Sequence, residues 1–279
     1  MRICFTSDFH GSESLYSQLD SLLDAERPDL LILGGDMFPE GSREDPCGTQ
    51  GRYVQEVFTA RLEQWRAQVP AMQIAMIFGN HDWLSTMHAL HTYHEQGLVA
   101  LLDRYETWHF GGVDFLGYSK TPPTPFWLKD LERLDLPTDA LPAEGGAIWD
   151  LACLRVRDVT AVEHFRSRAT IERELASTEA PAGRWIFVCH APPHDSALDR
   201  LPHVPHPVGS RAVRQFVTRT APVLGLHGHI HESPVVTGSF SERIGSTLCV
   251  NPGQSTDRLQ AVLVDMGSPN PTVRHTVFS

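Results

Sequence analysis

Five times along the chain a short apolar run breaks off into a cluster of Gly, Asp, Asn and His, and this recurrence restricts the folds open to it. The runs are 2–6 (RICFT, then SDFHG), 29–33 (DLLIL, then GGDMF), 72–78 (MQIAMIF, then GNHDW), 185–189 (WIFVC, then HAPPH) and 223–226 (VLGL, then HGHIH). Runs this short, bounded by Gly, Pro and Asp, read as buried strands. Between them lie helical patterns. Residues 12–26 put Leu15, Leu19, Leu22 and Leu23 on one face, and residues 53–68 do the same with Val54, Val57, Phe58, Leu62 and Trp65. Stretches 84–96, 160–178 and 210–219 are further helix candidates. Strand and helix in alternation predict an α/β fold with parallel pairing early in the chain. The last third differs: 247–250, 260–265 and 272–277 read as successive strands, which predicts a second sheet packed on the first. No linker divides the chain, so 1–279 is expected to be one domain. It carries irregular inserts near 38–52 and 119–150, the second rich in Pro and holding Trp127 and Trp149.

Charge narrows the partners. There are 23 basic and 34 acidic residues, a net charge of -11, which repels extended nucleic acid at long range. A small anionic substrate stays open, because bound divalent cations would dominate the field around it. No apolar run long enough to span a membrane and no signal-like N-terminus occurs. The five cysteines are widely spaced, without a CxxC, and Cys4, Cys189 and Cys249 sit in apolar runs. Free buried thiols and a cytoplasmic location are therefore expected, with no membrane partner. A homo-oligomer is neither required nor excluded.

The clusters carry ligand chemistry. Asp8 and His10 stand two residues apart past a strand, so they point the same way from extended backbone. Asp36 follows Gly34 and Gly35, which permit a tight turn. In Gly79-Asn80-His81-Asp82, Asn80 offers a neutral amide oxygen, His81 can act as a general acid, and Asp82 can orient it or cap a turn. His190 ends a strand, and His229 and His231 stand two apart after Gly228. Any one cluster alone reads as a turn. Together, at strand carboxyl ends, they gather carboxylates and imidazoles that need compensation, which a pair of divalent cations supplies. Mixed Asp, Asn and His donors suit Mn, Fe or Zn. Weaker signals are His88, His91 and His94, which read as a solvated helix face before a third metal site, His194, His203 and His206 in a Pro-rich loop, exposed or lining the expected entrance, and Arg211 at a helix N-terminus, a surface arginine or a phosphate receptor. Trp127 and Trp149 are candidates for stacking on a base or aryl group or for local packing.

The order Asp8-x-His10, Gly35-Asp36, Gly79-Asn80-His81-Asp82, His190, Gly228-His229-x-His231 resembles the calcineurin-like metallophosphoesterase superfamily over residues 8–231, and Asn251-Pro252-Gly253 looks like its usual sequel. The resemblance implies two packed mixed β-sheets flanked by helices, an α/β sandwich. It implies two divalent transition-metal ions, one held by Asp8, His10 and His231, the other by Asn80, His190 and His229, with Asp36 bridging. It also implies hydrolysis of a small phosphoester by a bridging hydroxide, with Asn80 and His81 at the substrate and His81 as general acid. Small diesters or cyclic nucleotides are the preferred substrates. A phosphomonoesterase or phosphoprotein phosphatase is the alternative, and an interaction scaffold on the same fold is the non-enzyme reading.

Overall fold

The computed structural model of the protein describes residues 1–41, 44–102 and 106–278. Fourteen strands are described. The first six are β1 (Arg2–Thr6), β2 (Leu30–Gly34), β3 (Gln73–Ile77), β4 (Ala100–Leu101), β5 (Trp108–Phe110) and β6 (Val113–Tyr118). Next come β7 (Gly146–Asp150), β8 (Arg155–Val159), β9 (Trp185–Cys189) and β10 (Leu224–Leu226). The last four are β11 (Ser241–Ile244), β12 (Thr247–Val250), β13 (Val262–Asp265) and β14 (Thr272–His275). Two six-stranded sheets form, in the orders β14-β13-β1-β2-β3-β4 and β11-β12-β10-β9-β6-β5. The central pairs are parallel in both sheets. In the first, β1, β2, β3 and β4 run parallel and only β13 and β14, on the other side of β1, pair antiparallel; in the second, β9 is parallel to β10 and β6, while the edge strands β5 and β11 oppose their neighbours. Both sheets are mixed, as the resemblance implied.

Side-chain alternation explains the layering. Ile3, Phe5, Leu30, Ile32, Ala75 and Ile77 meet Phe115, Ile186, Val188, Leu224, Leu226 and Val250 in one core between the sheets. Their neighbours Cys4, Leu31, Leu33, Ile74 and Met76 point the other way, onto Leu15, Leu19, Leu23, Leu62 and Trp65 of the helices Glu13–Glu26 and Thr59–Gln68. On the outer face of the second sheet, Trp185, Phe187 and Cys189 pack on Val213, Phe216 and Val217 of helix Arg211–Thr220. Strands buried on both faces cannot alternate apolar with polar, which is why they read as unbroken runs.

Several boundaries differ from expectation. The stretch near 38–52 is not wholly irregular: Pro46–Tyr53 is helical, capped by Asp45, whose side chain accepts from the Gly48 N–H, while residues 42 and 43 lie outside the described residues. That helix runs through a π turn, Val54–Phe58, into Thr59–Gln68, and the Thr59 N–H and hydroxyl both donate to the Val54 carbonyl. The expected helix 160–178 is two helices, Ala161–Arg166 and Ile171–Ser177, because Thr160 and Thr170 each cap a new start. Strand β6 escaped notice because Asp114 interrupts its apolar run and Gly111-Gly112 reads as a turn. The 119–150 insert is ordered by β7, which pairs with β8, and by a buried ion pair between Lys129 and Glu132 at 2.8 Å. Lys129 Nζ also donates to the Thr124 carbonyl and Glu132 accepts from the Thr124 N–H, so this pair pins the loop 122–126.

Candidate metal centre

Three ligand clusters leave the first sheet, after β1, β2 and β3, and two leave the second, after β9 and β10. The site therefore sits where the carboxyl ends of two sheets meet, not along the edge of one. Backbone pairing continues past the strand ends and locks the loops together. The Asp8 N–H donates to the Gly35 carbonyl (2.9 Å), His10 to Asp36 (2.9 Å) and Gly228 to His190 (3.0 Å). Asp8, His10, Asp36 and His229 all adopt left-handed backbone, with φ of 64°, 48°, 53° and 69°. For non-glycine residues this costs of order 1–3 kcal/mol each and is held only by surrounding structure, a pattern typical of functional sites. Gly79 has no room for a side chain, since a Cβ would run into the Asp36 carboxylate and the His190 ring.

The ligand-type atoms fall into two groups, each with all its atoms within 4.8 Å of one another: Asp8, His10 and His231, and Asp36, His190 and His229. In the first, His231 Nε2 lies 3.2 Å from Asp8 Oδ1 and 3.4 Å from His10 Nε2. In the second, His190 Nε2 lies 3.1 Å from Asp36 Oδ2 and only 3.9 Å from Asp8 Oδ1, so the groups abut. Asn80 is buried, and neither its amide oxygen nor its nitrogen has a hydrogen-bond partner. A third group joins His10 and His81 to Glu40.

The residues fit a pair of cations. Buried carboxylates, a buried amide without a partner and two imidazole nitrogens face to face are costly unless something electropositive sits among them. The His190 Nδ1–H donates to the Gly34 carbonyl at 2.8 Å and its Nε2 faces the site, the arrangement that orients a ligating histidine; against the effect of burial the Asp36 carboxylate raises this ring to about 9, a proton that ligation would displace. Burial drives the His229 ring down to about 3 and lowers His10, so both are neutral, as ligation requires. Burial alone would raise Asp8 and Asp36. The His231 and His190 rings outweigh it, holding Asp8 at about 2 and Asp36 well below the usual carboxylate range.

Around this centre the structure redistributes roles. Asp82 does not meet the His81 ring. Its buried Oδ2 accepts from the backbone N–H groups of Gly79 and Asp36, both at 2.9 Å, so it ties the loops after β2 and β3 together. Burial and the nearby Asp36 carboxylate push Asp82 up to about 8. The ring partner is Glu40, whose Oε1 lies 3.1 Å from His81 Nδ1. The sequence reading missed Glu40, four residues past Asp36. It also left Asn251 without a role. The Asn251 amide donates to the carbonyls of Leu198, Gly228 and Ile230 and thereby braces the His229–His231 loop. Arg211 pairs with Asp139 and Asp135, and Asp135 already accepts from the Arg211 N–H, so carboxylates occupy the helix start where a phosphate was expected. His194, His203 and His206 do not line the cavity over the centre. His88 and His91 approach each other on helix Leu84–Glu95, with ring centroids 6.3 Å apart, and are not among the candidate ligand groups.

That cavity encloses about 530 Å³. His10, Asp36, His81, His229 and His231 form its floor, and Pro122, Pro123, Pro125 and Phe126 of the 119–150 insert form a wall.

Two mixed six-stranded sheets with helices outside and an Asp/Asn/His centre at their joined ends define an α/β sandwich of the metallophosphoesterase type. A family model described as calcineurin-like phosphoesterase matches residues 1–233, and the chain belongs to that family. Among solved structures, TT1561 of Thermus thermophilus is similar over 98% of this chain and 97% of its own, with 14% identity and a TM-score of 0.57. A dimetal phosphatase from Danio rerio, LOC 393393, is similar over 99% of this chain and 95% of its own, with 12% identity and a TM-score of 0.51. At such identities the likeness is one of fold. No curated protein matches the sequence.

Proposed function

We propose that the protein, acting as one domain over 1–279, hydrolyses small organic phosphodiesters with two divalent transition-metal ions. Asp8, His10 and His231 would hold one ion and Asn80, His190 and His229 the other, with the Asp36 carboxylate available to both. The observation that carries this reading is the abutment of two ligand groups beside the unpartnered Asn80, under a cavity of about 530 Å³. Its other support is the family, and the dimetal character of the Danio rerio phosphatase that shares the fold. When bound, the ions would supply Lewis-acid polarisation of the phosphoryl oxygens and lower the pKa of water at the site.

The chain's own residues do the rest. Asn80 and the ligand histidines fix where the phosphoryl group sits. His81 lines the cavity, and its Nδ1 is engaged by Glu40, which leaves Nε2 to give a proton to the departing oxygen. Glu40 sets the orientation of that ring. Asp82, bonded only through the backbone of neighbouring loops, keeps Asp36 and Gly79 in register. The wall formed by residues 122–126 narrows access, which favours a small substrate over a phosphorylated protein surface. The test is a panel assay of metal-reconstituted protein against cyclic nucleotides, aryl diesters and phosphomonoesters. Diesters are expected to turn over fastest; preferential hydrolysis of monoesters would make the enzyme a phosphatase instead.

A further inference from the structure

A second, smaller cleft adjoins the first at His81. It encloses about 210 Å³ and is lined by Pro46, Trp83, Phe126, Trp127 and Leu128, together with His81 and Glu40. Glu40, His81 and Phe126 belong to both cavities, the His81 and Phe126 rings lying 4.6 Å apart between centroids at an angle of 62°, so these three side chains form the boundary between the two. Trp83 is buried and meets Trp127 edge to face at 5.8 Å. Phe126 and Trp127 are 49% and 37% exposed, although both are large apolar side chains. Together they extend the apolar lining of the cleft out to solvent, as the wall of a ligand-binding groove does.

The backbone holds this surface rigidly. The Trp127 carbonyl accepts from the Ala147 N–H and the Lys129 N–H donates to the Ala147 carbonyl, both at 2.8 Å, which ties the strip to β7. A side chain at Gly146 would collide with the Trp127 carbonyl, so the close approach depends on that glycine. On the other side, the Trp83 N–H donates to Gln50 Oε1 at 3.0 Å. Among the described residues, neither cleft is lined by Lys or Arg, and the carboxylates of Glu40 and Glu232 face into them.

We propose that this cleft receives the leaving alcohol of the substrate, and that the alcohol carries an uncharged, apolar group of aromatic size. The inference rests on the phosphodiesterase reading and on His81 as the proton donor, since the group that gains the proton must sit beside that ring. A volume near 210 Å³ exceeds the roughly 150 Å³ that suffices for a benzene ring. Tryptophan and phenylalanine walls favour an apolar or aryl group, and the carboxylates disfavour a second anionic one.

The experiment compares methyl phosphodiesters whose second alcohol is ethanol, 3-phenylpropan-1-ol or 4-hydroxybutanoate, using metal-loaded protein. The first two alcohols are of similar acidity, so chemistry alone does not separate them. Phenylpropanol, not methanol, should be the alcohol released from its ester. The kcat/KM ratio of phenylpropyl to ethyl ester should be about 10–100, the usual value of burying one ring, with the carboxylate ester slowest. In Trp127→Ala that ratio should collapse toward 1; being read within one variant, it is independent of how much protein is folded. Calorimetry with 3-phenylpropan-1-ol alone should show binding to the native protein and not to Trp127→Ala. Turnover without the preference, or with methanol released, overturns the cleft assignment while the phosphodiesterase reading stands. Binding of the alcohol without turnover of any phosphoester overturns the reading itself, and the leaving-group role with it.

Discussion

At the scale of the residue, the roles proposed for His81 and its neighbours make proton donation separable from metal binding. His81→Ala should leave metal content near that of the native protein. It should lower the rate on a poor alkoxide leaving group by about 10²–10⁴, the span of general acid catalysis, and far less on nitrophenolate. Lost metal, with equal losses across leaving groups, would place His81 among the ligands. Glu40 and Asp82 should differ in kind. Glu40→Gln removes the carboxylate that faces the His81 ring, so a fall in kcat of about 10–100-fold is expected with metal content and stability near native, the usual cost of removing a supporting partner. Asp82→Ala removes the acceptor for two buried N–H groups, so lower thermal stability and lower metal content are expected. The reverse pattern in the two variants would restore Asp82 as the residue that steers His81. That Asp8, His10, Asp36, Asn80, His190, His229 and His231 come from strand ends was legible in the sequence, because each follows a buried strand whose apolar run is plain; their service as ligands is the proposal under test. Glu40 was not legible, because it meets His81 only when the loops after β2 and β3 are laid side by side.

Among the elements, strands buried on both faces were read almost to the residue: β1, β9 and β12 fall where their apolar runs do. Elements whose order depends on distant partners were not. The 119–150 insert looks structureless in sequence because Pro recurs in it. In the fold, Lys129 and Glu132, only 2% and 0% exposed, hold it by an ion pair with three further contacts to Thr124. Breaking such a pair leaves a buried charge unpaired. Lys129→Met is therefore expected to cost about 3–5 kcal/mol in denaturant unfolding, and the double variant with Glu132→Leu considerably less. A Lys129→Met loss below about 1 kcal/mol, as for an exposed pair, would mean the loop is not held this way.

For the molecule as a whole, two packed sheets are expected from the motif order, but the last third does not make the second sheet by itself: β13 and β14 return to pair beside β1 in the first sheet and only β11 and β12 join the second, a return that, like the pairing of β6 between β5 and β9, depends on contacts far apart in sequence. The fold also carries a pH signature away from the metal centre. Burial pushes the His164 ring from 6.5 down to about 4, and one of its nitrogens bonds the Glu132 carbonyl at 3.0 Å. Between those values the unfolded chain takes a proton that the folded one refuses. The stability His164 allows is thus complete above 6.5 and is lost as pH falls toward 4. Burial raises Asp130 to about 6, and this acts in the opposite sense, so the contrast between native protein and His164→Gln is what isolates the ring. The variant should lose less stability than the native protein between those pH values; equal slopes would contradict this.

The central claim is that two ions share one centre through Asp36. Elemental analysis of native protein and Asp36→Asn, each reconstituted with Mn, Fe or Zn and freed of excess, measures it directly, with hydrolysis of an aryl phosphodiester followed on the same samples. Up to two ions per chain are expected in the native protein, activity should vanish on chelation and return with metal, and Asp36→Asn should lose affinity at both sites. Full hydrolysis by verified metal-free protein, or an Asp36→Asn variant that keeps two tightly bound ions and a near-native rate, would contradict it.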